Sequence, residues 1–163
     1  AAHLSIAAQL KEHSIVRRYR AVVYGVIEEE EGTVDLPVGR DPRDRKRMAA
    51  GVKNGKEAVT HYRVLQRFKG FTYIECRLET GRTHQIRVHM EAAGHPLLGD
   101  EVYCRGIPGN GKLPCHLQGQ TLHAMILGFR HPRTGEYVET TAPLPDYFSR
   151  LLQILECLLL RFS

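Results

Sequence analysis

Apolar and polar positions alternate with a period of two along several stretches of this chain, and recur every three to four residues along others. Residues 19–27, YRAVVYGVI, are rich in β-formers and run into the acidic turn 28–32. Residues 32–38, GTVDLPV, alternate as one short strand, with Pro37 suited to a sheet edge. Segments 58–68 and 71–79 alternate on either side of Lys69-Gly70 and predict a β-hairpin; 120–129 and 137–144 flank RHPRTGE and predict a second. Helical spacing marks residues 3–15 (Leu4, Ile6, Ala7, Leu10, Ile15), a helix following Gly81, and the apolar-rich 145–160. Segment 39–57 is polar, basic and glycine-bearing, a loop or a distorted hairpin. The order of elements predicts an α+β fold: a mixed, largely antiparallel sheet with flanking helices.

Length and composition narrow the picture. The 163 residues suit one domain, or one domain plus a fragment, and no apolar run approaches the length needed to cross a bilayer. The chain opens AAHLS, with no initiator Met and no signal pattern, and reads as a truncated or processed product. Charge changes the picture more. Lys and Arg outnumber Asp and Glu by 23 to 18, and the window Arg40–Lys69 alone holds ten basic against three acidic residues. A basic zone on a near-neutral body suits a polyanion, although a solvated loop would look the same. Cys76, Cys104, Cys115 and Cys157 lack CxxC spacing, so reduced thiols and a cytoplasmic setting are expected. A zinc site on Cys104, Cys115 and His116, with His123 further on, lacks the regular ligand pairs of structural zinc sites.

The stretch LETGRTHQIRVHMEAAGHPLLGD (78–100) poses the chemical question. Thr83 fits an N-cap, Gly94 fits the residue just past the end, and Pro96 is a stop. Ile86, His89, Met90 and Ala93 share one face, so that face packs inward and His89 reads as a hydrogen-bonded core histidine. Arg82, His84 and Arg87 crowd the start, where the helix dipole disfavours cations and exposed N–H groups invite an anion. Guanidinium forks fit carboxylate or phosphate. Either a ligand phosphate or an acidic side chain should be near; surface pairing with Glu79 or Glu91 is the plainer alternative. His84 could touch a ligand, cap the helix or be solvated. Tyr19, among Arg17, Arg18 and Arg20, could stack on an exposed base or simply pack in its strand. No Ser-His-Asp elbow, phosphate-binding P-loop or GxGxxG appears, and GNG at 109–111 reads as a turn.

Five blocks occur together in one order: RRYRAVVYG (17–25), GKEAVTHYRVL (55–65), LETGRTHQIRVHMEAAGHPLLGDEVY (78–103), LHAMILGFRHPRTGE (122–136) and APLPDYF (142–148). In these, from about Ala2 to Phe148, the chain resembles the RluA/RluD-type pseudouridine synthases, which isomerise uridine in structured RNA, most often large-subunit ribosomal RNA. The resemblance implies an isomerase without metal or organic cofactor. An aspartate attacks the flipped-out uridine; the freed base rotates and rejoins the ribose through carbon. Extruding a base costs a few kcal/mol of unstacking, and the RNA backbone needs a basic surface. By the same resemblance Tyr19 stacks on the target base and takes part in proton removal, Arg87 pairs with the catalytic Asp, and Ile86 lines the pocket. Arg40, Arg43, Arg45, Lys46, Arg47, Lys53, Lys56, Arg82 and His84 are the expected RNA contacts.

One departure is large. The family's nucleophile lies in RLDxxTSG, ahead of the tyrosine, and none of the 18 residues before Tyr19 is Asp. Asp35, Asp41, Asp44, Asp100 and Asp146 do not fit that motif. The chain is therefore expected to be part of a catalytic domain, inactive alone, with Arg87 lacking its acidic partner and with exposed strand edges that favour self-association in place of a monomeric parent. A non-catalytic RNA-binding protein on the same scaffold is the alternative.

Overall fold

The computed structural model describes residues 2–104 and 115–160. Its elements are α1 (Ala2–Lys11), β1 (Val16–Tyr24), β2 (Glu31–Asp35), β3 (Val38–Arg40), β4 (Met48–Ala50), β5 (Val59–Phe68), β6 (Phe71–Leu78), α2 (Gln85–Ala92), β7 (Leu122–Arg130), β8 (Tyr137–Thr141) and α3 (Asp146–Leu160). Six strands form one sheet in the order β2-β5-β6-β1-β7-β8, every neighbouring pair antiparallel, and β3 pairs with β4 apart from it. The α+β class and both hairpins agree with the sequence reading.

Several boundaries are set by the tertiary structure. The segment 32–38 is two strands in two sheets, because Leu36-Pro37 interrupts the ladder after Asp35 and a proline cannot donate to it. The basic segment 39–57, read as a loop or a distorted hairpin, takes the second form: β3, which starts at Val38, pairs with β4. Helix α1 ends at Lys11 and turns its predicted apolar stripe outward: Leu4 is 73% exposed, whereas the polar Gln9 is buried and bonds both the carbonyl and the N–H of Arg130 on β7. The Gly/Pro-rich 105–114, with the expected GNG turn, lies outside the described residues.

Period-two alternation divides the sheet into two faces. Ala21, Val23, Ile74, Cys76, Leu78 and Val64 point to the first, where Ile86 and Met90 of α2 close an apolar cluster. Val22, Tyr24 and Phe68 point to the second, under Phe148, Leu151 and Leu155 of α3. A third cluster of Val38, Ala58, Val88 and Tyr103 fastens the β3–β4 hairpin to α2. Val88 therefore widens the inward face of α2, while Ala93, expected on that face, is exposed.

Candidate functional site

Helix α2 begins one residue later than a Thr83 cap would place it. His84 is the boundary residue, in the left-handed region at φ 57°, and its side chain caps nothing. Gln85 orders this turn instead: its side-chain oxygen accepts from Thr80 Oγ1 at 2.8 Å and from the Arg82 N–H at 3.0 Å. Its amide donates to the Val59 carbonyl and to Thr60 Oγ1, both at 3.0 Å. Thr60 then meets His89 Nδ1 at 2.8 Å, and His89 Nε2 meets the Leu36 carbonyl at 2.8 Å. A carbonyl can only accept, so His89 carries a hydrogen on Nε2; burial lowers its pKa, which favours the neutral form with Nδ1 accepting from Thr60. His89 is the core histidine the periodicity implied. Gln85 went unnoticed in the sequence because its polarity gave no reason to expect burial. At the other end Gly94 takes φ 85° just past the helix, as expected of a C-terminal glycine.

Arg87 has an acidic partner within the chain, which corrects the expectation that none was present. Its Nε and Nη2 donate to the two carboxylate oxygens of Asp100 at 2.7 and 2.9 Å. The Asp100 side chain is fully buried and that of Arg87 is 11% exposed. Asp100 also accepts the backbone N–H groups of Val102 and Tyr103. Burial pushes the Asp100 carboxyl up, but the Arg87 hydrogen bond and the two amides outweigh it and the net direction is down. The bond to Asp100 raises Arg87 correspondingly. Sequence spacing hid this pair: Gly94, Pro96 and Gly99 reverse the chain between the two residues, and no linear pattern specifies where such a turn points its next side chain.

The same corner ties in the basic hairpin. The Tyr103 ring has the Arg87 guanidinium at 4.8 Å and that of Arg47 at 5.0 Å, both cation–π distances. Arg47 bonds Glu91 at 2.7 Å, and the Met48 N–H donates to the Tyr103 hydroxyl. That hydroxyl in turn lies 2.9 Å from His84 Nδ1; burial, then Arg87, lower the His84 pKa, which suits it as acceptor. Glu91 thus pairs with Arg47, and Glu79 with His61 at 2.6 Å, so neither serves Arg82 or Arg87.

The remaining expected residues fall into two groups. Tyr19 lies at the β1 irregularity between Arg18 and Tyr19, on the first face, packed with Leu122 against the cluster that holds Ile86. Arg87 follows Ile86 in the helix but turns toward Asp100. Arg82 donates from Nε to the Glu57 carbonyl and lines a cleft of about 500 Å³ with Arg17, Lys11 and His13. Gly81 makes room there: a side chain on it would strike the Arg17 guanidinium. Arg40, Arg43, Arg45, Lys46, Lys53 and Lys56 are exposed around the hairpin, unlike the tethered Arg47. Cys104 gives its thiol to the Leu97 carbonyl, and among the described residues no His/Cys/Asp/Glu group could hold a metal ion. None of the described helices is long and apolar enough to span a membrane.

The family model described as RNA pseudouridylate synthase matches residues 1–92. An uncharacterized RNA pseudouridine synthase of Bacillus subtilis is 51% identical over 152 residues, covering 93% of this chain and 48% of that protein. A ribosomal large subunit pseudouridine synthase D of Nitrosomonas europaea is 47% identical, covering 93% and 44%; one of Pseudomonas aeruginosa is 44% identical, covering 94% and 50%. The chain spans about half the length of these curated relatives. Among solved structures, human RNA pseudouridylate synthase domain containing 1 superposes with a TM-score of 0.72 at 26% identity, over 93% of this chain and 70% of that one.

Proposed function

Because the chain belongs to the RNA pseudouridylate synthase family, we propose that it is one part of a catalytic domain that converts uridine to pseudouridine in structured RNA, specifically large-subunit ribosomal RNA. The observation that carries this reading is the pairing of Tyr19 and Ile86 on one apolar cluster, one residue from a buried arginine, in a chain similar to synthases named for the ribosomal large subunit. Tyr19 stacks on the extruded base, and Ile86 walls the pocket that receives it.

Arg87 keeps a role in this scheme despite Asp100. A guanidinium has five N–H donors, and Asp100 takes one from Nε and one from Nη2. The Nη1 edge remains for a second carboxylate, so Asp100 orients Arg87 and Arg87 orients the nucleophile. That nucleophilic Asp is supplied from outside these 163 residues.

The purified chain alone is expected to form no pseudouridine in ribosomal RNA, read by mass spectrometry of nuclease digests. Product above the level given by a Tyr19→Phe control would show that the chain holds its own nucleophile. RNA binding should survive, since the exposed hairpin cations belong to this chain. Replacing Arg43 and Arg45 with Gln should lower the magnitude of the slope of log K against log salt by about one for each phosphate the protein no longer neutralises. Arg47 is left out because it is held by Glu91 and Tyr103. An unchanged slope would remove this hairpin from the RNA interface. Retained RNA binding with no activity even when the missing segment is restored would favour the non-catalytic alternative.

A further inference from the structure

The second face of the sheet is only half covered. On β6, Phe71 and Tyr73 lie under α3 with their neighbours Val22 and Tyr24, but Glu75 and Arg77, further along the same face, do not. The strand registers set the open half out in two rows. One reads Thr33, His61, Arg77, Arg18 across β2, β5, β6 and β1; the next reads Glu31, Arg63, Glu75, Arg20. Directly paired residues share a face, so these side chains project together. All of them except Arg20 line a concavity of about 540 Å³, on the opposite face from Tyr19 and Ile86.

Its charge is not explained by folding. Glu75 is buried, and Arg20 lies 2.9 Å from one of its oxygens with only 19% of its side chain exposed. That pair alone neutralises the carboxylate. Yet Arg63 and Arg18 also converge on the other oxygen, at 3.2 and 3.5 Å, while remaining 58% and 41% exposed. Arg77 is exposed and makes no ion pair among the described residues. The acidic residues that face this group besides Glu75 are Glu31 at the rim and Glu79, which is bonded to His61 and also feels the charge of Arg77. Four guanidiniums (Arg18, Arg20, Arg63 and Arg77) thus face three carboxylates (Glu31, Glu75 and Glu79), and the excess positive charge and spare donors of the open pocket suit an incoming anion.

We propose that this pocket is a second RNA-backbone site, distinct from the surface that presents the target base. The backbone positions that carry them stand about 5 Å apart on neighbouring strands and about 7 Å apart two residues along one strand, which lets the guanidiniums spread over the scale of successive phosphates. Their forked donors fit phosphate oxygens. Strand β2, which rims the pocket, runs through Leu36-Pro37 directly into β3 of the basic hairpin. A structured RNA gripped by the hairpin thus reaches the second face by passing around the β2 edge. The inference rests on the RNA reading above and adds to it a contact on the far side of the sheet.

The test measures binding of a fluorescein-labelled RNA stem-loop to the whole chain across a salt series. The double variant R63Q/R77Q alters two exposed side chains and leaves the Arg20–Glu75 pair intact; R77Q alone removes no ion pair at all. Loss of about tenfold in affinity and a fall of about one to two in the salt slope for the double variant, additive with R43Q/R45Q, is the expected result. If R43Q/R45Q weakens binding but R63Q/R77Q and R77Q change neither affinity nor slope, the second site is overturned and the RNA reading stands. If the unaltered chain does not bind RNA, the broader reading fails first. A poly-glutamate peptide that binds the pocket, its binding abolished in R63Q/R77Q while RNA binding is unmoved, would assign the site to an acidic protein partner and overturn the proposal.

Discussion

Asp100→Ala is expected to destabilise the chain by about 3–5 kcal/mol, because removing one member of a buried ion pair leaves the other charge uncompensated. Arg87 would keep its place under Tyr103 with no carboxylate, and the N–H groups of Val102 and Tyr103 would be left without their acceptor. For a chain of this size the loss corresponds to a fall in Tm of roughly 6–20 °C. Asp100→Asn should cost less, since the amide oxygen can still accept from the backbone. The pair also carries a pH signature. The folded carboxyl is held below its ordinary value, so its contribution is complete above the ordinary aspartate range near about 4 and drains away as pH falls through the lowered folded value. Melting curves from neutral to acid pH should show that slope in the unaltered chain and a shallower one in both variants. An Asp100→Ala chain that melts within about 2 °C of the parent would mean that Arg87 finds its counter-charge elsewhere, and that the buried pair is not what holds this corner.

Most of the fold could be read from the sequence, because period-two alternation and turn glycines are local signals. The hairpin of β5 and β6 needed only alternating residues and Gly70, which takes φ 82°. What escaped was set by distant contacts. The stretch from 32 to 38 reads as one strand with Pro37 at an edge, and the proline alone does not show that Val38 leaves the sheet to pair with β4. Leu4 looked like a core residue because helical spacing reports which residues share a face, not whether anything covers it. In the site, Gly94 and the buried stripe of α2 were legible. The Arg87–Asp100 pair, the Gln85 network and the convergence of Arg18, Arg20 and Arg63 on Glu75 were not. Each joins residues on different elements, and the registers that align them appear only once the strands are paired.

Phe148→Ala should produce a loss of comparable size, about 3–5 kcal/mol, through a cavity instead of a charge. Phe148 is fully buried near the start of α3 and meets the Tyr73 ring edge-on, with centroids 5.8 Å apart. It packs with Val22, Leu98 and Leu151, so its removal opens the seam between α3 and the sheet where a single helix provides the cover. Gln153, on the outward side of the same helix, serves as the control: its replacement by Ala should shift stability by no more than about 0.5 kcal/mol. The position of Phe148 makes the result informative beyond stability. Tyr73 is the last residue of β6 that α3 shelters, and Glu75 begins the charged half of the same face. The basic hairpin is fastened through Tyr103 to α2 on the other face, and does not depend on this seam. At temperatures below the lowered Tm, Phe148→Ala should therefore leave the hairpin's share of the RNA salt slope intact. Urea titration of both variants beside the parent separates these expectations, and equal midpoints for Phe148→Ala and Gln153→Ala would show that α3 is not docked on the sheet as described.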